Sequence, residues 1–406
     1  MRLFSLLALT LTACATGARQ RADANPHSAE PIGTVREMYD GRLTPVLAAQ
    51  TFRNIDRLFP SRRVARGDAV SPLPELPNRL NQPSCTVGDT VHSLDEYFAQ
   101  NRVTALLVLK RGQIALERYA AGNTAETRWM SMSMAKSVTS TLIGIALREG
   151  KIRSLNDDVT DYVPSLRGSA YQGVTIRHML MMSSGVRWNE TYTDSSSDRR
   201  HLLEAQLGQR AGAPMALMAT LPRAAKPGSV LNYSTGETLV AGAVVRGAVG
   251  TSLSTYLSER LWKPLGMQSD ATWWLDAPEG QEIAGSGLSA TLRDFGRFGL
   301  FIMHDGIIDG KQLLPDGWVT EAGSSKTLSS GVRSQYGYMW WPVDAVAGSI
   351  NDGAFTAQGI FGQWIYVNRR EQVVIVQWSA QTQPSGGDRI NPELCFAAMA
   401  DSLRHR

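Results

Sequence analysis

Ser133-Met134-Ala135-Lys136 places a hydroxyl and an amine three residues apart, just ahead of a long apolar stretch. On a helix that spacing puts both side chains on one face, a turn apart, so the amine can reach the hydroxyl. Serine is a weak nucleophile unless a neighbouring base takes its proton. An exposed lysine, with a pKa of about 10.4, is charged at neutral pH and cannot serve. A lysine stripped of water can, because burial disfavours the charged form. Leu142, Ile143, Ile145, Ala146 and Leu147 follow in the same segment and would bury it. The chemistry on offer is attack by an activated serine. Taken alone, however, the pair reads better as a helix cap with a surface lysine, since two common residues recur at that spacing by chance.

Two further stretches have the make-up of site loops. Pro227-Gly228 marks a turn, and Tyr233-Ser234 stands before a helical run from Leu239 to Val245. A tyrosine there can pass protons between serine, lysine and a leaving group. Ala357-Gln358-Gly359-Ile360-Phe361-Gly362-Gln363 leads into strand-like sequence. Glycine beside a strand lets a ligand approach the backbone, and unpaired N–H groups at such an edge can hold an oxyanion.

The elements that must position these groups read as follows. Thr104–Lys110 and Gln113–Tyr119 flank Arg111-Gly112 and give strand, tight turn, strand. Trp364–Val367 and Val373–Val376, around Asn368–Gln372, give a second such pair. Thr175 opens a short amphipathic helix, Leu292–Met303 reads as another, and Asn391-Pro392 starts a last one. Strands from both ends of the chain around a helical middle predict an α/β (α+β) fold. It is an antiparallel sheet flanked by helices, with a mostly helical inserted lobe. The expected divisions are 1–13 as a leader, 14–84 as a tether and irregular N-terminal wrap, and 85–406 as the main domain. Within that domain, 85–150 and 285–406 form the sheet lobe and about 151–284 the helical lobe.

Composition narrows the class. The 406 residues are 43% hydrophobic and 19% charged, with a net charge of +4, which describes a globular chain. The arginines are scattered, with isolated pairs such as Arg62-Arg63, so no nucleic-acid partner is expected. The six histidines are dispersed and no Cys/His cluster has ligand spacing, so no metal and no cofactor are expected. Met1–Gly17 has the charge, apolar run and small residues of an export leader. Leu11-Thr12-Ala13-Cys14 resembles a bacterial lipobox, which makes Cys14 the expected lipidation site. The expectation is a lipoprotein anchored to a membrane and facing the periplasm. In that oxidising compartment Cys85 and Cys395 could pair or stay as separate buried thiols.

Taken together, these pieces resemble the penicillin-recognising serine hydrolases. That group spans class C β-lactamases, D-alanyl-D-alanine peptidases, related esterases and 6-aminohexanoate-dimer hydrolases. The likeness runs from about Thr104 to Val376. It includes Ser133-x-x-Lys136, Thr175–Leu180 with Ser183-Ser184-Gly185, Tyr233-Ser234-Thr235 and Leu288–Asp294. The resemblance implies Ser133 as nucleophile, Lys136 as its base and Tyr233 as proton shuttle. It also implies an oxyanion hole from the backbone N–H groups of Ser133 and Ile360, with Gly359 beside it.

Two positions depart from the common pattern: Thr235 stands where asparagine is frequent, and Ala357 where lysine or histidine opens the third motif. A cation at the third motif helps hold a substrate carboxylate, a contact worth about 1.5–3 kcal/mol. Both departures fit the 6-aminohexanoate-dimer hydrolase branch, which also implies Tyr192 as a substrate contact. Phe355, Trp364 and Trp188 are candidate pocket walls. The expected function is hydrolysis of small amides or esters through an acyl-enzyme. The alternatives are a β-lactamase or D-alanyl-D-alanine carboxypeptidase, and a catalytically inactive binding lipoprotein of the same fold.

Overall fold

Val103–Lys110 turns through Arg111 and Gly112 into Gln113–Tyr119, and both turn residues have positive φ (52° and 79°). Two successive left-handed residues match the twist of a two-residue hairpin, which glycine at the second position eases. The computed structural model in which this is seen describes residues 25–404; the expected leader and Cys14 lie outside them.

This hairpin is one edge of a six-stranded antiparallel sheet. Its order is Trp341–Pro342, Phe355–Gly359, Gln363–Asn368, Val373–Ser379, Val103–Lys110, Gln113–Tyr119. Strands from the two ends of the chain thus meet at its centre, Val376 opposite Leu107. Successive side chains alternate between faces. Leu107, Leu109, Val374 and Val376 join one core with helix Leu292–Met303, while Leu106, Val108, Tyr366 and Ile375 join another with helix Pro392–Ser402. The first helix comes close because it carries glycines: a Cβ on Gly296 would sit 2.7 Å from Leu107, and one on Gly299 2.5 Å from Val374. Cys85 and Cys395 are disulfide-bonded, which ties strand Ser84–Val87 to the final helix.

The helical lobe includes Ile176–Leu180, Asp198–Leu207, Ala213–Thr220 and Thr235–Val249. It is not wholly helical. Ala271–Trp274 is a strand, and it joins Ser61–Val64, Leu288–Thr291 and Arg128–Met130 in a second, four-stranded sheet. The two lobes share one continuous apolar core.

The expected irregular wrap needs correction over its described part. Val35–Tyr39 is a helix with a capping box from Thr34 and Glu37, and Pro45–Phe52 is a helix capped by Thr44. Tyr39, Phe52 and Ile55 are fully buried in the main core. Short helices with few apolar turns leave little periodicity, but their caps are strong local signals.

Candidate active site

Strand Arg128–Met130 delivers the chain to the turn that carries Ser133. The Ser131 N–H donates to the Leu288 carbonyl (2.7 Å), which fixes the turn to the small sheet. Met132 has φ +42°, a conformation that non-glycine residues adopt at a cost and that gathers at functional sites. Ser133 then enters helix Met134–Arg148 with its side chain making no capping hydrogen bond. Its Oγ is free for chemistry, so the reading as a simple helix cap does not hold.

One turn on, Lys136 is 1% exposed. Its Nζ lies 2.8 Å from Ser133 Oγ, and it donates to Thr235 Oγ1 and to the Gly285 carbonyl, both at 3.0 Å. Burial takes its pKa down to about 7; Arg199 also lowers it, and Glu190 opposes the change. The amine is therefore available as a base near neutrality.

Tyr233 ends the loop before helix Thr235–Val249, whose start is capped by Ser234. The Lys136 ammonium position is 5.0 Å from the centre of its ring. Tyr336 and Trp341 brace the ring from other sides, with centroids at 5.8 and 5.5 Å. Burial raises the phenol above the ordinary tyrosine range, and a hydrogen bond with Ser133 works against that rise. Tyr233 thus carries its proton, within reach of the nucleophile.

On the opposite side, strand Phe355–Gly359 runs past the serine turn. A Cβ on Gly359 would sit 2.5 Å from the Ser131 carbonyl oxygen and 3.1 Å from Met132 Cβ, so only glycine allows this approach. Ile360 follows, and then Phe361 and Gly362, both with positive φ (67° and 83°), turn the chain back. Among the described residues, neither the Ser133 nor the Ile360 N–H has a backbone acceptor.

These groups open into one cleft of about 670 Å³. Ser133, Tyr233, Gly359 and Ile360 line it, as do Tyr192, Trp364 and Trp341. Among the described residues, no lysine or arginine lines it, whereas Glu190 and Asp388 do. Of the expected walls, Phe355 is instead core: it is buried and packs edge-on to Trp340 (5.2 Å). Trp188 is buried behind the cleft, where its indole N–H donates to Glu190. Ala357 is 1% exposed and contributes no polar group.

Glu190 is the residue that sequence reading missed. Its Oε2 accepts from the Thr235 N–H at 2.9 Å and from Trp188, and its Oε1 accepts from the Thr235 hydroxyl. It stands two residues before Tyr192, in a stretch whose sequence points only to Trp188 and that tyrosine. Thr235, whose role the sequence left open, is the bridge between Lys136 and Glu190.

Residues 94–398 match the family described as Beta-lactamase. The 6-aminohexanoate-dimer hydrolase of Paenarthrobacter ureafaciens is 29% identical over 346 residues, covering 82% of this chain and 85% of the relative. A solved Bacillus anthracis structure, provisionally named a 6-aminohexanoate-dimer hydrolase, superposes with a TM-score of 0.76 at 23% identity, covering 88% of this chain and 94% of that one. A family VIII carboxylesterase superposes with a TM-score of 0.57 at 16% identity, covering 74% and 94%. The structural likenesses establish a shared fold.

Proposed function

The chain belongs to the beta-lactamase family, and from that premise we propose a serine hydrolase that cleaves small amides or esters through an acyl-enzyme. One observation carries the reading: a buried lysine amine with a pKa near 7 lies 2.8 Å from the Ser133 hydroxyl, inside the cleft that Tyr233 and Ile360 also line.

In the first half-reaction neutral Lys136 takes the Ser133 proton while Oγ bonds to the substrate carbonyl carbon. The carbonyl oxygen becomes an oxyanion, held by the Ser133 and Ile360 N–H groups. Two such donors in a dry site commonly supply several powers of ten in rate. As the bond to the leaving group breaks, the phenol of Tyr233 gives the departing oxygen or nitrogen a proton, and the lysine's proton replaces it. Water then repeats the sequence against the acyl group, which frees the acid and restores Ser133.

A β-lactamase or carboxypeptidase reading is weaker. Those enzymes hold a substrate carboxylate with a cation, and here Ala357 occupies that motif position in a cleft lined, among the described residues, by no lysine or arginine. An amide or ester without a carboxylate beside the scissile bond fits better, as does the relationship to a 6-aminohexanoate-dimer hydrolase. Purified protein should turn over p-nitrophenyl esters of short acids, lose that turnover with Ser133→Ala, and hydrolyse nitrocefin far more slowly. Rapid nitrocefin turnover with inert esters would favour the other reading. Failure of both would favour the inactive binding protein.

Export and lipid attachment at Cys14 belong to the same proposal. The Cys85–Cys395 bond supports them, because disulfides persist in oxidising compartments. Metabolic labelling with a fatty-acid analogue, lost on Cys14→Ser, is the test.

A further inference from the structure

Three partners surround the Lys136 amine: Ser133 Oγ, Thr235 Oγ1 and the Gly285 carbonyl. A neutral amine has two N–H donors and one lone pair, so one of the three must face the lone pair. The carbonyl can only accept. A hydroxyl can do either, so Thr235 and Ser133 compete to donate to the lone pair. If Thr235 wins, the base points away from the nucleophile.

Glu190 decides the competition. Its Oε2 is held by two N–H donors, from Thr235 and Trp188, neither of which can reverse its role. That leaves Oε1 toward the Thr235 hydroxyl, which donates to it. With its proton committed there, Thr235 Oγ1 offers Lys136 only a lone pair. Both lysine N–H groups are then spent, on Thr235 and Gly285, and the lysine lone pair is left for Ser133. We propose that Glu190 is a positioning residue which, through the Thr235 hydroxyl, aims the lone pair of Lys136 at the nucleophile.

This deepens the proposed hydrolase mechanism and rests on it. Glutamine at 190 would have to keep its oxygen toward the two N–H donors, so its NH₂ would face Thr235. Thr235 would then accept from that amide and turn its own proton onto Lys136. The charge around the site is shared: Lys136 feels Glu190 and Arg199, and Glu190 and Arg199 both act on Tyr39, Tyr192 and Tyr233, with Glu190 acting on Tyr336 as well. Loss of the 190 carboxylate also removes a pull on the lysine proton, so the acid limb of the pH profile should move to lower pH.

The test is the rate of covalent labelling of Ser133 by a fluorophosphonate. It should fall by about 10²-fold in Glu190→Gln, a typical share for a positioned base. Thr235→Val should fall similarly, and Thr235→Ser, which keeps the bridging hydroxyl, should stay within about threefold of the parent. Glu190→Gln labelled at the parental rate, an unmoved acid limb, or equal rates for the two Thr235 variants would overturn the inference. The Thr235 pair carries the test if Glu190→Gln does not fold. A parent protein that is not labelled at Ser133 would instead overturn the hydrolase reading itself.

Discussion

Gly359 and Ser131 touch through backbone alone: the space a Cβ would occupy on Gly359 lies 2.5 Å from the Ser131 carbonyl oxygen. That approach brings the sheet edge and the nucleophile turn close enough for Ser133 and Ile360 to line one cleft. The two segments belong to different sheets: the turn follows Arg128–Met130 of the four-stranded sheet, and Gly359 ends Phe355–Gly359 of the six-stranded one.

Gly359→Val should therefore damage the oxyanion pocket while leaving the lysine–serine pair intact. A side chain there must push the strand or the turn aside, since the obstacle is backbone. The expected loss in kcat/KM for p-nitrophenyl esters is about 10²-fold or more, the scale of a displaced oxyanion donor. Steady-state kinetics on a variant with a parental circular dichroism spectrum checks this; turnover within a few-fold of the parent would show that the approach is not needed.

Tyr233→Phe should separate leaving groups. A p-nitrophenolate departs without a proton, whereas an aniline or alkylamine needs one. The variant should lose about 10²-fold more kcat on a p-nitroanilide than on the matching p-nitrophenyl ester. Equal losses on the two substrates would remove Tyr233 from the protonation step and leave it as a wall of the cleft.

The cleft's main pieces are legible in the sequence because each is local. Ser133 and Lys136 lie within one helical turn, Tyr233 within a loop before a helix, and Gly359-Ile360 at a strand end. Glu190 is not legible there: it meets Lys136 only through Thr235, and that bridge exists only after the chain has folded. Phe355 shows the same limit, since strand alternation does not say which face meets solvent when both faces are covered. The N-terminal helices escape a sequence reading for a different reason. Thr34-x-x-Glu37 and Thr44-Pro45 are capping signals, but the segments behind them are too short for periodicity to show. The Cys85–Cys395 pairing depends on long-range geometry that no spacing encodes.

That disulfide closes a loop across 310 positions, from the strand before the sheet to the final helix. Cys85→Ala with Cys395→Ala should lower the stability to unfolding by about 2–5 kcal/mol. Both cysteines are buried in the second core and neither lines the cleft, so ester turnover at room temperature should persist. Denaturant unfolding under oxidising and reducing conditions measures the first, and a kinetic assay the second. A midpoint unchanged by the double substitution would mean that helix packing alone holds the terminus.

The central claim is that Ser133 is activated by Lys136 in its uncharged form. Lys136 titrates near 7, so the reactive state is populated as pH rises through that value and is lost below it. The measurement is the rate of fluorophosphonate labelling from about pH 5 to about pH 9, with the adduct located by peptide mapping. The account predicts a single adduct on Ser133 and a rate that climbs with a midpoint near 7. An adduct on another residue, or a Ser133 labelling rate that is flat across that range, would contradict it.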